Sequence, residues 1–230
     1  RKRVEMPDFD TFWAEGYAES PVPDKPYVFL SEFRMDPIAN PLETPSGKIE
    51  IFSETIDSYD YDDCPGHATW MEPFEWLGAS ASENFPLHLI SNQPNPRLHG
   101  QLDPGRVSRN SKVSEREPVR INPTDAASRG IANGDVVRIF NNRGAILAGA
   151  VLTANVRPNV IEISTGAWYD PLEPGTIGSL DRHGNPNVLT FDKGTSRLAQ
   201  GPTAHSTLVE MEKFAGIAPE ISVFEQPPTV

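Results

Sequence analysis

The sequence contains a single cysteine, Cys64. That excludes an internal disulfide, a CxxC redox pair and a zinc site built from protein thiolates. No apolar run approaches the roughly 20 residues of a membrane-spanning helix. With a mean hydropathy of −0.43, no membrane partner is expected. Basic residues are also scarce, 20 Lys and Arg against 32 Asp and Glu for a net charge of −12. Without an overall basic field, no nucleic-acid partner is expected. An initiator methionine and an apolar leader are missing too: the chain opens Arg1-Lys2-Arg3 and reads as part of something longer. Any export signal would then stand upstream, so the sequence assigns no compartment.

The 230 residues are enough for one large or two modest domains with a true core. Twenty-three prolines favour loops and short strands over long helices. Charge is uneven: residues 1–86 hold 6 basic against 18 acidic residues, while 87–230 hold 14 of each. The division expected is an acidic lead-in and linker over 1–84 and a second domain over 85–230. In the lead-in, Phe9, Phe12, Trp13 and Tyr17 predict a short helix over Asp10–Ala18, and Tyr27–Leu30 reads as a strand. A turn at Thr44–Gly47 precedes Lys48–Phe52, which alternates like a half-buried strand, and Ser53 caps a short helix toward Tyr59. Asp60, Asp62 and Asp63 lack the glycine and closing glutamate of a calcium loop.

From Leu87 onward, short strands follow at close spacing, the pattern of a small barrel or sandwich. Leu87–Ile90 is an apolar strand, and 105–117 reads as polar and irregular. Pro118–Ile121 is a strand. Asn122 then caps a short helix with Pro123 at its first position, Asp125 in its first turn and Gly130 beyond its end. Ala132-Asn133-Gly134-Asp135 is a tight turn. Val136–Phe140 and Ala145–Leu152 form a hairpin across Asn141–Gly144, and Val160–Ser164 is a further buried strand.

Two polar stretches stand out against this framework. After Ile90 the chain breaks into Ser91-Asn92-Gln93-Pro94-Asn95-Pro96, then Arg97-Leu98-His99-Gly100-Gln101. Amides suit the edge of a heterocycle and an arginine suits a phosphate, here on a proline-stiffened support. Some 65 residues on, Gly166-Ala167-Trp168-Tyr169-Asp170-Pro171 opens about 40 residues with little regular structure. That stretch includes Asn185-Pro186-Asn187-Val188-Leu189-Thr190 and the run from Gly194 through Ala204, His205 and Ser206. So long an irregular segment in a compact domain marks function.

These stretches, with Thr44–Glu54 (TPSGKIEIFSE), resemble the C-terminal part of the molybdopterin oxidoreductases, in the branch of the dimethyl sulfoxide, trimethylamine N-oxide and biotin sulfoxide reductases. The resemblance covers roughly residues 44–214. It implies a mostly β fold with short helices, a double-psi β-barrel-like domain preceded by an irregular α+β lead-in. It also implies a cofactor, molybdenum held by two molybdopterin guanine dinucleotides, serving the reduction of S- or N-oxides by oxygen-atom transfer. By motif match, Ser91, Asn92, Gln93, Pro94, Arg97, His99, Gly100 and Gln101 would line one pterin–guanine arm. Asn187, Ala204 and His205 would approach from the other side. Arg97 would bridge a pyrophosphate or pterin carbonyl, and His99 would donate toward the pterin or its sulfur. The metal's protein ligand would belong to an N-terminal remainder that is this chain's partner, leaving the isolated chain inactive.

Other residues carry plainer expectations: His67 and His183 as surface groups, His88 as a structural histidine in its strand. Two alternatives are weighed. A free-standing hydrolase or decarboxylase would need Ser91 with His99, or Ser206 with His205, and neither pair has an orienting carboxylate beside it in sequence. A non-catalytic double-psi barrel interaction module would use the aromatic lead-in as a peptide groove.

Overall fold

A computed structural model describes residues 6–19 and 24–226. The chain divides into two compact units, 1–53 and 54–230. Among the described residues, no helix is long and apolar enough to cross a membrane.

In the first unit, α1 runs Phe9–Glu15, shorter than Asp10–Ala18 at its C-terminal side. Asp8 caps it by accepting the Thr11 N–H at 3.0 Å, and Gly16, at φ +77°, ends it. Gly16 can take that left-handed conformation without a Cβ penalty. Tyr27–Leu30 is not a strand: Leu30 sits at φ +59° and leads into α2, Ser31–Met35. Lys48–Phe52 forms no strand either. Phe52 alone enters a bridge, and the alternating Ile49 and Ile51 are left exposed, because alternation becomes a strand only where a neighbouring strand pairs along its length.

The second unit opens with α3, Glu54–Asp57, and a 3-10 turn, Ser80–Glu83. It then builds a closed barrel from β1 (Leu87–Ile90), β2 (Pro118–Ile121), β3 (Val136–Asn141), β4 (Gly144–Leu152), β5 (Val160–Ile163) and β6 (Leu208–Lys213). Round the barrel the order is β1-β5-β2-β4-β3-β6. The pairs β1–β5 and β2–β4 are parallel and the other four are antiparallel. Exchanging each strand with the one three places later maps this order, and each parallel or antiparallel relation, onto itself. That internal two-fold, with two interlocked parallel pairs, is the double-psi arrangement.

Leu87, Leu89, Val119, Ile121, Val137, Ile139, Ile146, Ile161, Ile163, Val209 and Met211 fill the interior. Ala145–Ala150 is buried on both faces without a break, because outer segments cover β4. Leu147 N–H donates to Asp181 O at 2.8 Å, and a Cβ on Gly144 would collide with Val188. Two helices complete the unit. α4, Arg106–Asn110, occupies a stretch expected to be irregular. α5, Pro123–Ser128, starts where the sequence placed it, with the Asn122 side chain accepting Thr124 N–H at 2.9 Å.

Strand direction decides where the connections lie. β1, β3 and β5 run one way and β2, β4 and β6 the other. The connections 91–117, 142–143 and 164–207 therefore all leave from one end of the barrel. Those over 122–135 and 153–159 occupy the opposite end.

Candidate functional site

Every residue singled out for ligand contact lies on the 91–117 or the 164–207 connection, hence at one barrel end. The first connection is locked to the segment that follows β5. Asn92 O accepts the Thr165 N–H at 2.9 Å, and Asn92 Oδ1 accepts from Ser164 Oγ at 3.0 Å, leaving the Asn92 Nδ2 without a hydrogen bond among the described residues. Pro94 is buried beneath the loop, while Ser91 is half-buried. Gln93 and His99 are exposed and meet at 3.3 Å between Nε2 and Nδ1. His99 holds φ +50° and Leu102 φ +62°, conformations that cost energy for non-glycine residues. The corner survives because its neighbours hold it. Trp168 Nε1 donates to Gly100 O at 2.7 Å. Gly166, at φ +89°, comes so close that a Cβ there would lie 2.0 Å from His99 O. Gln101 closes the loop's last turn on Leu98 and is exposed.

Arg97 departs from the phosphate-contacting role read for it. Its side chain is fully buried, 3.1 Å from Glu117 and 3.4 Å from Asp103. It also donates to His99 O at 3.0 Å, Ser108 Oγ at 3.2 Å and Thr165 O at 3.0 Å. Lys112 joins the same carboxylates at 2.8 and 2.5 Å, so two cations face two anions out of water. Here the guanidinium clamps the loop from behind. Burial by itself would raise the Asp103 carboxyl, but hydrogen bonds from Lys112 and the Trp168 N–H, with the charges of Lys112 and Arg97, hold it below its usual value.

His183, expected at the surface, is fully buried instead. Its Nδ1–H donates to Trp168 O at 3.0 Å and its ring meets Phe224 edge-on at 5.0 Å. Its Nε2 has no hydrogen-bond partner among the described residues. Burial pushes its pKa down to about 4, with Lys112 adding repulsion. Nearby Asp181 is pushed up to about 6 by burial, against three backbone N–H donors from Asp170, Gly184 and Asn185.

On the second connection, Asn187 is exposed on a 3-10 turn, Pro186–Val188, capped by Asn185. The turn is anchored through Leu189 O, which accepts Asn141 Nδ2 at 2.9 Å and Arg143 Nε at 2.7 Å. Arg143 is in turn held bidentately by Glu75 at 2.8 and 3.0 Å, and Glu75 also accepts the Leu208 N–H. No sequence signal marked Arg143 or Glu75 for the site, since each matters through partners distant in the chain, whereas Trp168 stood in the second polar stretch without a role of its own. His205 is exposed, and its carbonyl accepts from His88 Nε2 at 2.7 Å, so His88 is structural and ties β1 to this segment. Among the described residues no hydrogen bond joins Asn187, Ala204 or His205 directly to 91–101. Neither Ser91 nor Ser206 hydrogen-bonds a histidine, and among the described residues no group of three or more His, Cys, Asp or Glu is placed to hold a metal.

A concavity of about 470 Å³ opens beside this end, between α4 and the C-terminal strap. Pro219–Phe224 is strapped down by Arg116, which donates to Pro219 O, by Arg182, and by Asp170, which accepts Ser222 N–H at 2.9 Å.

The family model described as Molydopterin dinucleotide binding domain matches residues 87–208, from the start of β1 to the start of β6. The dimethyl sulfoxide/trimethylamine N-oxide reductase of Cereibacter sphaeroides is 48% identical over 227 residues, covering 98% of this chain and 28% of that protein. Trimethylamine-N-oxide reductase 1 of Escherichia coli K12 is 50% identical over 224 residues, covering 95% and 26%. This chain thus spans little more than a quarter of their length. Among solved structures, acetylene hydratase from Pelobacter acetylenicus superposes with a TM-score of 0.62 at 18% identity, over 78% of this chain and 25% of that one, a likeness of fold.

Proposed function

Because this chain belongs to the molybdopterin dinucleotide binding domain family, we propose that residues 85–230 bind the molybdopterin guanine dinucleotide halves of a molybdenum cofactor. They would do so as the C-terminal domain of a larger enzyme that reduces S- or N-oxides. The relatives named as dimethyl sulfoxide and trimethylamine N-oxide reductases support the substrate class. The observation that carries the reading is strand direction: it brings two loops, more than 80 residues apart, to the same end of the barrel.

The donor set fits such a ligand. Ser91 Oγ, Asn92 Nδ2, the Gln93 amide, the His99 ring and Gln101 offer mixed donors and acceptors for a pterin edge. Gly100, whose Cβ would meet Gly166 O and the Trp168 indole at 3.4 Å, lets the loop backbone lie close. Asn187, Ala204 and His205 offer the second side. Arg97 and Pro94 serve from beneath, holding the loop. Bound, the cofactor supplies the two-electron oxygen-atom transfer. The residues here orient it and exclude water from its pterin flank, and the metal's protein ligand comes from the remainder of the enzyme.

Titrating purified molybdopterin guanine dinucleotide into ¹⁵N-labelled chain tests this. Signals of Asn92, Gln93 and His99 are expected to shift while those of 122–135 stay still, with no reduction of dimethyl sulfoxide or trimethylamine N-oxide by the chain alone. Shifts confined to 122–135, or none, refute the binding reading. Shifts confined to the aromatic lead-in on adding peptide would favour an interaction module.

A further inference from the structure

The two ligand loops have different supports. The first is gripped from inside, by buried Arg97 donating to His99 O, Ser108 Oγ and Thr165 O. The second is held from outside, by the segment 54–86 that precedes the barrel. Asp62 and Asp63 pair with Arg197. Phe74 packs against Phe191 at 6.3 Å and lies under Lys193 Nζ at 3.5 Å. Glu75 takes Arg143 with both carboxylate oxygens and also accepts the Leu208 N–H at 2.6 Å.

Exposure ranks these three holds. The side chains of Arg197 and Asp62 are 56% and 91% exposed, a pair that water and salt reduce to little. Phe74 is exposed as well. Glu75 and Arg143 are only 14% and 23% exposed, and a guanidinium fork on a carboxylate is the strong geometry. Glu75 also has a fixed point of reference, because Leu208 begins β6 and is fully buried in the barrel. From there the contacts run outward. Glu75 orients the Arg143 guanidinium, which lies over the Phe191 ring at 4.1 Å and turns its Nε–H onto Leu189 O at 2.7 Å. The Leu189 side chain sits in the core and fixes where the Pro186–Val188 turn lies. The bonds to its carbonyl fix how that turn is tilted, and with it the direction in which exposed Asn187 is presented.

We infer that Glu75 is a positioning residue for the second ligand loop, acting through Arg143 on the turn that carries Asn187. This rests on the cofactor reading for what Asn187 meets. Glu75 lies before the segment 87–208 that the family model matches, so the site draws on a residue upstream of that domain.

Purified molybdopterin guanine dinucleotide, titrated into the ¹⁵N-labelled full chain, tests the role. Glu75→Gln sets an amide NH₂ against N–H donors that the carboxylate accepted, which releases Arg143. Affinity is expected to fall about tenfold, the order found when a group that orients a ligating side chain from behind is removed. The cofactor-induced shift of Asn187 should be lost while those of Asn92, Gln93 and His99 persist. His205, whose carbonyl keeps its own donor in His88, should respond in between. A variant that merely loosened the fold would weaken both loops together. Arg143→Lys keeps the charge, but one ammonium cannot span Glu75 and Leu189 O. It should give the same loss, and the double variant no more than either single one, since both act along one path. Glu72→Gln removes a charge from an exposed position on the same segment and should leave affinity within about twofold. Parent-like affinity in Glu75→Gln, equal loss of response in both loops, or losses that multiply in the double variant overturn the positioning role and leave the cofactor reading standing. A parent chain that responds to the dinucleotide at neither loop overturns the cofactor reading, and this role with it. An unchanged circular dichroism spectrum checks that each variant is folded; should Glu75→Gln fail that check, Arg143→Lys carries the same comparison.

Discussion

Replacing Arg97 with methionine separates a ligand-binding arginine from a structural one. Methionine keeps much of the stem volume but removes the charge and every donor. In the native fold, Arg97 and Lys112 balance Asp103 and Glu117, all essentially out of water. Arg97→Met leaves two carboxylates facing one ammonium, and strips donors from His99 O, Ser108 Oγ and Thr165 O. Removing one partner of a buried, hydrogen-bonded ion cluster costs about 3–5 kcal/mol. At ~2–4 °C per kcal/mol for a unit of this size, the melting temperature should fall by roughly 6–20 °C. Glu117→Gln in the same chain restores neutrality, so the double variant should recover about 1–2 kcal/mol relative to additivity, within the usual range for contacting residues. Urea unfolding followed by circular dichroism, at constant slope, measures both quantities. A loss below about 1 kcal/mol for Arg97→Met, or strict additivity in the double variant, would show a solvent-facing cation and refute the buried clamp.

Gly166→Ala is expected to cost at least about 2 kcal/mol, because φ +89° is strained for alanine and its Cβ would meet the His99 backbone. Weakened cofactor binding should accompany it, and an unaltered melting curve would contradict the close approach of the two loops. Asn122→Ala removes the cap of α5 and a donor to Val156 O at 2.7 Å. A loss of about 1–2 kcal/mol by urea unfolding is expected. His183 and Asp181 predict opposing pH effects. Below its ordinary 6.5, an unfolded His183 takes a proton that the native ring refuses until about 4, so stability falls as pH drops through that window. Native Asp181 takes its proton at about 6, before its unfolded value of 3.8, so its contribution rises on acidification. Relative to the parent chain, His183→Gln should therefore gain about 3 kcal/mol between pH 7 and pH 4, and a flat or falling difference refutes the buried neutral ring.

The aromatic lead-in shows how local pattern alone misleads. Ile49 and Ile51 alternate with charged neighbours as strand residues do, yet face solvent. Leu208–Lys213, by contrast, alternates over Val209-Glu210-Met211-Glu212 and is a full barrel strand, though it follows a segment whose glycines and prolines obscured it. The difference is pairing along the whole length: β6 has β1 on one side and β3 on the other.

From sequence alone came the elements whose cause is local: the apolar strands β1, β2 and β5, the β3–β4 hairpin, and α5 with its Asn122 cap and Pro123 start. The two polar stretches that carry the family motif were legible as well, because amides, prolines and glycines declare a loop wherever they fall. Only the tertiary structure decided that strand directions bring those stretches to one barrel end. It alone placed Arg97 and His183 inside. A side chain's burial and charge balance depend on groups dozens of residues away, and that information exists only once the barrel has closed.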